Sequence, residues 1–176
     1  LTSITIPNTV YHLDEDALEN CSSLKKLVIE DRIVELPYLS TAFKGCPLED
    51  VYIGVDNFGR AFKGWKTLKN VILGNKVRAI GSNAFAGCTN LSSITIPSSV
   101  SSIELFAFQG CINLESITLY SQDPLSIHSA CLPEEAYTKT KLFVPKGTLL
   151  KYQASDVWKD FLQIQEFILL DDTDLT

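Results

Sequence analysis

Five cysteines and two histidines are the side chains of this chain best equipped for nucleophilic or metal chemistry, and their spacing decides what they can do. Cys21, Cys46, Cys88 and Cys111 recur at one place in a repeated pattern, and Cys131 falls where other copies of the pattern carry Phe. Zinc sites draw their ligands from close C-x-x-C-type pairs, and no two cysteines here stand that near in sequence. At one repeat position they stack into a ladder inside a core, where a free thiol behaves as a small apolar filler. Stacked neighbours such as Cys88 and Cys111 fall near disulfide reach, about 6 Å between Cα atoms. Thiol and disulfide therefore both stay open, and the cysteines do not report the compartment. His12 and His128 lie in different copies of the repeat. A Cys–His nucleophile would need His128 beside Cys131, whereas the repeat pattern predicts that Cys131 faces the core.

The remaining polar motifs are equally bare of chemistry. Asp14-Glu15-Asp16 and Glu134-Glu135 lack the D-x-D-x-D-G spacing of a calcium loop and read as solvated rim. Gly54, Gly59, Gly74 and Gly81 make neither a G-x-G-x-x-G nor a phosphate loop and read as turn residues. No catalytic, metal or cofactor site is expected, and the chain does not read as an enzyme. With 176 residues, 45% of them hydrophobic, it is long enough to bury one core. Its net charge of −6 and the absence of a Lys/Arg run longer than Lys25-Lys26 argue against nucleic acid. No stretch approaches the roughly 20 apolar residues of a membrane helix. The chain lacks an initiator Met and opens inside a repeat at Leu1, so it reads as a fragment or processed form.

The elements that position these residues follow from that repeat. Segments 1–23, 68–90 and 91–113 share the form L-x-x-I-x-I, a Val, an Ile or Leu, then A-F/L-x-G/N-C, with a period of 23 residues. Copy 24–47 is one residue longer, and copy 48–67 is three shorter, with Trp65 in the Cys place. A sixth copy starts at Leu114 and diverges after Pro124; Leu142-Phe143-Val144-Pro145 matches Ile94-Thr95-Ile96-Pro97. L-x-x-I-x-I alternates with period two, so Ile94 and Ile96 point one way while Ser93 and Thr95 point the other. A strand this short cannot bury its apolar side alone. Stacked copies make a parallel sheet with one continuous core, roughly 30 Å long for seven strands. Pro7, Pro97 and Pro145 end their strands because proline cannot donate to the ladder. The Ala-Phe pair turns the chain back, and Phe43, Phe62, Phe85 and Phe108 are expected to stack on the far side of the core.

On these motifs the chain resembles the BspA-like leucine-rich repeats, whose unit is close to L-x-x-I-x-I-P-x-x-V-x-x-I-x-x-x-A-F-x-G-C-x-x. The resemblance covers residues 1–145, and the ending VPKGTLLKYQASDVWKDFLQIQEF is similar to the close of such proteins from gut Bacteroidetes. It implies an α/β repeat fold: a short, curved leucine-rich-repeat solenoid with one parallel sheet of about seven strands. Short helices or 3-10 turns lie on the other side, and a helical C-terminal cap follows. It also implies a secreted or surface protein used in binding and adhesion. The departures are the short third repeat and the irregular sixth.

The domain reading is a solenoid over 1–145, irregular over 114–140, then a cap and acidic tail over 146–176. A solenoid end must be covered. Thr148 is expected to cap a helix carrying Leu149, Leu150 and Tyr152, and Ser155 a second one carrying Val157, Trp158 and Phe161. Trp158 and Phe161 are expected over the open end of the core. A last strand is expected near Ile164–Leu169, and Asp171-Asp172-Thr173-Asp174 is expected to be solvated. The N-terminal coil has no matching cap, so Leu1, Ile4 and Ile6 offer a route to self-association. The insertion 123–140 is either a bulge beside the cap or a secondary site.

The informative surface is the outward side of the sheet. Its positions run Ser3/Thr5, Lys26/Val28, Asp50/Tyr52, Asn70/Ile72, Ser93/Thr95, Ser116/Thr118 and Thr140/Phe143. Val28, Tyr52 and Ile72 form an apolar stripe in a hydroxylated surface, and with Thr95, Thr118 and Phe143 they are the candidate partner-binding residues. Apolar patches rimmed by polar groups mark interaction sites; the same neighbours could instead serve only to stabilise the sheet. Three functions fit: adhesion to a host, extracellular-matrix or neighbouring-cell protein, carbohydrate binding by the Ser/Thr/Asn face with Tyr52, or a passive spacer.

Overall fold

Each L-x-x-I-x-I segment becomes a strand, and the strands stack in parallel in a computed structural model that describes residues 1–32, 39–56 and 58–168. In chain order the strands are β1 (Ser3–Ile6), β2 (Lys26–Arg32), β3 (Asp50–Val55), β4 (Asn70–Leu73), β5 (Ala79–Ile80) and β6 (Ser93–Ile96). There follow β7 (Ser102–Ile103), β8 (Ser116–Leu119), β9 (Ser126–Ile127), β10 (Lys141–Pro145) and β11 (Ile164–Phe167). The helices are α1 (Leu39–Ala42), α2 (Ala136–Lys139) and α3 (Leu149–Ala154), with a 3-10 turn at Trp158–Asp160. The main sheet has eight strands in the order β1-β2-β3-β4-β6-β8-β10-β11. A second, three-stranded sheet, β5-β7-β9, was not expected from the sequence. Its strands are two residues long, too short for any alternation to announce them. The Ala-Phe segments are mostly turns; among the described residues only α1, in the second repeat, winds a helix there.

Register follows the repeat, pairing Ile4 with Leu27, Leu27 with Val51, Val51 with Val71 and Val71 with Ile94. The inward residues Leu27, Ile29, Ile53, Ile94, Ile96 and Ile117 are essentially fully buried. Opposite them the Phe rings stack nearly parallel: Phe62 to Phe85 at 5.8 Å and 16°, and Phe85 to Phe108 at 5.4 Å and 12°. Each such pair adds about 0.5–1.5 kcal/mol beyond area burial.

The cysteines tie coil to coil. Cys46 donates its thiol proton to the Leu18 carbonyl at 3.0 Å, Cys88 to Phe62 at 3.0 Å and Cys111 to Phe85 at 3.2 Å. All five are free thiols. Cys88, Cys111 and Cys131 are buried, whereas Cys21 and Cys46, near the N-terminal end, are partly exposed. At the same end Leu1 is 67% exposed and Ile4 partly so, while Ile6, expected to be open, is buried.

The C-terminal elements differ in detail from expectation. Trp158 and Phe161 are buried against the core, and the indole donates to the Leu125 carbonyl at 2.9 Å. Thr148 does precede α3, but its hydroxyl turns back to the Pro145 carbonyl at 2.7 Å. The Glu166 carboxylate receives the Gly147 and Leu149 amides instead, at 2.9 and 3.0 Å. Ser155 closes α3 rather than opening a second helix; Val157, at φ 69°, precedes the 3-10 turn. Leu150 is 79% exposed, because α3 turns Tyr152 inward in its place. The 123–140 segment is a coil of the solenoid, with Leu125, Cys131, Leu132 and Ala136 buried. Leu169 and the 171–174 tail lie outside the described residues.

Candidate functional site

One in-register row carries all six candidate residues: Val28 pairs with Tyr52, Tyr52 with Ile72, Ile72 with Thr95, Thr95 with Thr118 and Thr118 with Phe143. The row continues into exposed Gln165 on β11. Ile72 is 54% exposed, and its five companions are half-buried. Val28, Tyr52 and Ile72 are contiguous and line an open hollow of about 440 Å³, bordered by Lys26, Asp50 and Asn70. Phe143 lies three strands beyond Ile72, with the two threonines between. Thr140 does not belong to this face. Lys141 takes its place opposite Ser116, and Thr140 is buried with its hydroxyl on the Leu114 carbonyl at 2.6 Å.

The border of the hollow pairs within itself. Asn70 donates to Asp50 at 2.7 Å, and the Lys26 ammonium sits 3.8 Å from the same carboxylate. One row outward, Glu49 receives Lys25 at 2.8 Å and Lys69 at 2.7 Å. The hydrogen bonds from those two lysines hold its carboxyl down to about 2. With its charges matched internally, the border leaves the apolar floor as the part that gains most from being covered.

The tightest point of the face was not foreseen. Four residues of β2, Ile29 to Arg32, run beside three of β3, Ile53 to Val55, and this bulge carries Asp31 over the sheet. The Tyr52 hydroxyl donates to the Asp31 carboxylate at 2.7 Å. Burial, followed by that hydrogen bond to a carboxylate, pushes the phenol up to about 12. Gly54 and Gly74 make room for the pair. A Cβ on Gly74 would run into the Asp31 carboxylate and approach the Tyr52 hydroxyl to 2.6 Å, and one on Gly54 would approach the Ile29 carbonyl to 2.5 Å. Gly54 is thus a strand residue rather than a turn residue. The one-residue excess of the second repeat was the only sign of the bulge in the sequence.

Cys131, the thiol nearest an imidazole in sequence, is not set up as a nucleophile. Cys131 is fully buried, which pushes its thiol up to about 12, the opposite of what a nucleophile needs. The His128 ring accepts the Ala130 amide at 3.2 Å, and His12 contacts Asp14 at 3.2 Å. Among the described residues no cluster of three His, Cys, Asp or Glu side chains could hold a metal ion. Nor is any described helix long and apolar enough to cross a membrane.

Comparison with known families matches residues 1–59 and 59–146 to the BspA type leucine rich repeat region, in six copies. Curated proteins yield no match. Among solved structures, the chain is similar to a leucine-rich repeat protein from Bacteroides ovatus (TM-score 0.63, 24% identity, 97% of this chain and 43% of that one). It is also similar to a leucine rich cell surface protein from Faecalibacterium prausnitzii (TM-score 0.55, 31% identity, 67% of this chain and 32% of that one). A third is the pneumococcal vaccine antigen PcpA (TM-score 0.61, 22% identity, 97% of this chain and 41% of that one). The chain spans less than half the length of each.

Proposed function

This chain belongs to the BspA-type leucine-rich-repeat family, and on that premise we propose that it is a non-enzymatic, surface-exposed binding module for a protein partner. The partner is a host, extracellular-matrix or neighbouring-cell protein, engaged through the outward face of the main sheet. Val28, Tyr52 and Ile72 form the anchor, and Thr95, Thr118 and Phe143 extend the contact along the row. The observation that carries this reading is the apolar floor of Val28, Tyr52 and Ile72, half-open to solvent inside a border in which Asp50 is already met by Asn70 and Lys26. Ile72 is 54% exposed and stands beside Val28 and Tyr52 in one contiguous apolar patch, the arrangement that marks interaction sites. A cell-surface setting draws support from the Faecalibacterium relative, which is described as a cell surface protein.

The test is a binding screen of the purified chain against immobilised extracellular-matrix proteins, with Tyr52→Ser and Ile72→Ser alongside. Binding to one protein that either substitution weakens by about ten-fold or more is expected of a hot spot, with the melting temperature little changed in Ile72→Ser and lowered by a few degrees in Tyr52→Ser, which also removes the hydrogen bond to Asp31. Binding that survives both substitutions while stability falls would assign the row to sheet stability alone.

A further inference from the structure

The short third repeat opens a second hollow on a different side of the molecule. Repeats four, five and six each contribute a strand to the three-stranded sheet, β5, β7 and β9. Among the described residues the third repeat contributes none, and β5 is left as an outer strand. The three missing residues fall between Gly54 and Ala61, the stretch that corresponds to the segment around β5 in the next repeat. The space beside β5 forms an open hollow of about 510 Å³, within the size range of small-ligand sites, about 300–1,000 Å³. Gly59 and Gly81 lie on its floor with no side chain to fill it; a Cβ on Gly59 meets nothing within 4 Å.

Four charged side chains line this floor: Arg60, Arg78, Asp56 and Glu104. The acids do not spend themselves on the arginines. Asp56 accepts the Arg78 backbone amide at 2.7 Å, and Glu104 accepts the amide and hydroxyl of Ser82, each at 3.0 Å. Each contact uses one carboxylate oxygen and leaves the other as an acceptor. Among the described residues neither guanidinium has a hydrogen-bond or ion-pair partner, and both arginines are exposed. A guanidinium presents a planar fork of donors matched to a carboxylate.

We propose that this hollow is a binding site for an acidic sugar, a pyranose carrying one carboxylate and several hydroxyls. Arg60 and Arg78 take the carboxylate, the free oxygens of Asp56 and Glu104 accept hydroxyl protons, and the ring lies over Gly59 and Gly81. The lining carries two positive and two negative groups, so a bare anion gains little from it. A neutral sugar leaves the guanidiniums unpaired. Only a ligand with both kinds of group satisfies all four. The site is independent of the sheet face proposed above and does not rest on that reading.

The probe is methyl glucuronide, titrated into the chain by calorimetry, with methyl glucoside, acetate and inorganic phosphate in parallel. The uronate is expected to bind at least about ten-fold more tightly than any of the three, the factor of one charge-assisted hydrogen bond. Arg60→Gln and Arg78→Gln should each weaken it about ten-fold or more, with the melting temperature unchanged, because both side chains are exposed. Gly81→Ala should weaken binding by raising the floor: its Cβ meets nothing closer than the Gly59 Cα and carbonyl at 3.8 Å, so the fold accepts it. Tyr52→Ser should leave uronate affinity unaltered, which separates this site from the sheet face. Absence of uronate binding, acetate or phosphate binding as tightly, or full affinity in the Arg60→Gln/Arg78→Gln double variant would each overturn the assignment.

Discussion

Replacing Gly74 by Ala probes the outward face where it is most crowded. The added methyl group would occupy the place of the Asp31 carboxylate and lie 2.6 Å from the Tyr52 hydroxyl, so the hydrogen bond between them must break. A hydrogen bond to a charged group contributes about 1.5–3 kcal/mol; with both partners only half-buried, about 1–2 kcal/mol is the fair share here. Against that, losing a glycine narrows the unfolded ensemble and returns about 0.4–1 kcal/mol. The net expectation is a loss of up to about 1.6 kcal/mol. At about 2–4 °C per kcal/mol for a chain of this size, the melting temperature falls by up to about 6 °C. The specific readout is the phenol of Tyr52, followed by ultraviolet titration with Tyr52→Phe as the blank. In the parent chain it ionises at about 12 against the ordinary 10.0. In Gly74→Ala it should ionise earlier without returning all the way to 10.0, because burial, the larger cause, persists. The sign for stability follows: a raised phenol stabilises the fold below pH 10 and loses that contribution as pH climbs from 10 towards 12. An unchanged Tyr52 titration together with an unchanged melting temperature in Gly74→Ala would refute the Asp31–Tyr52 contact and the bulge that delivers it.

Two further outcomes follow from the ends of the ladder and from its charged edge. Trp158→Ala removes a fully buried indole that donates to Leu125 and stacks on Phe161 at 5.8 Å. It should cost about 3–5 kcal/mol by denaturant melting, and a loss under about 1 kcal/mol would mean that the cap does not seal the core. Glu49, held at about 2 by Lys25 and Lys69, should stay ionised in a carboxyl chemical-shift titration until the pH falls well below the ordinary 4.5. Its contribution to stability is present above pH 4.5 and lost as pH falls through about 2. Lys25→Gln with Lys69→Gln should return it towards 4.5.

The parts of the molecule legible in the sequence are those where the repeat is strict. L-x-x-I-x-I places Val28, Tyr52, Ile72, Thr95 and Thr118 in one row because alternation admits one outward set per strand, and the register has that row. Where the repeat slips, so does the reading. Thr140 departs from the alternation itself: two residues before Phe143 stands Lys141, which is exposed, whereas Thr140 is buried. Asp31 stays hidden because a bulge has no periodic signature, although the extra residue of that copy hinted at it. Arg60 and Arg78 were passed over because charges scattered through a repeat read as solvated surface. The three-residue deficit of the coil that carries Arg60, seen beside the second sheet, leaves the hollow that Arg60 and Arg78 both line. In the cap, Ser155 has the right residue type for a helix start, yet Val157 precedes the turn because Trp158 must reach the core.

The parallel, in-register stacking also has a mechanical meaning. The bonds that join one coil to the next, from the backbone ladder to the thiol of Cys88 on the Phe62 carbonyl, all cross the gap between neighbouring coils. A pull along the stacking direction therefore loads these gaps in series, so that the weakest opens first instead of the whole sheet shearing at once. Each coil of 23 residues that peels away releases roughly 80 Å of chain. Under tension such a molecule extends in steps, like a tape leaving its reel, while the coils still wound keep their faces intact.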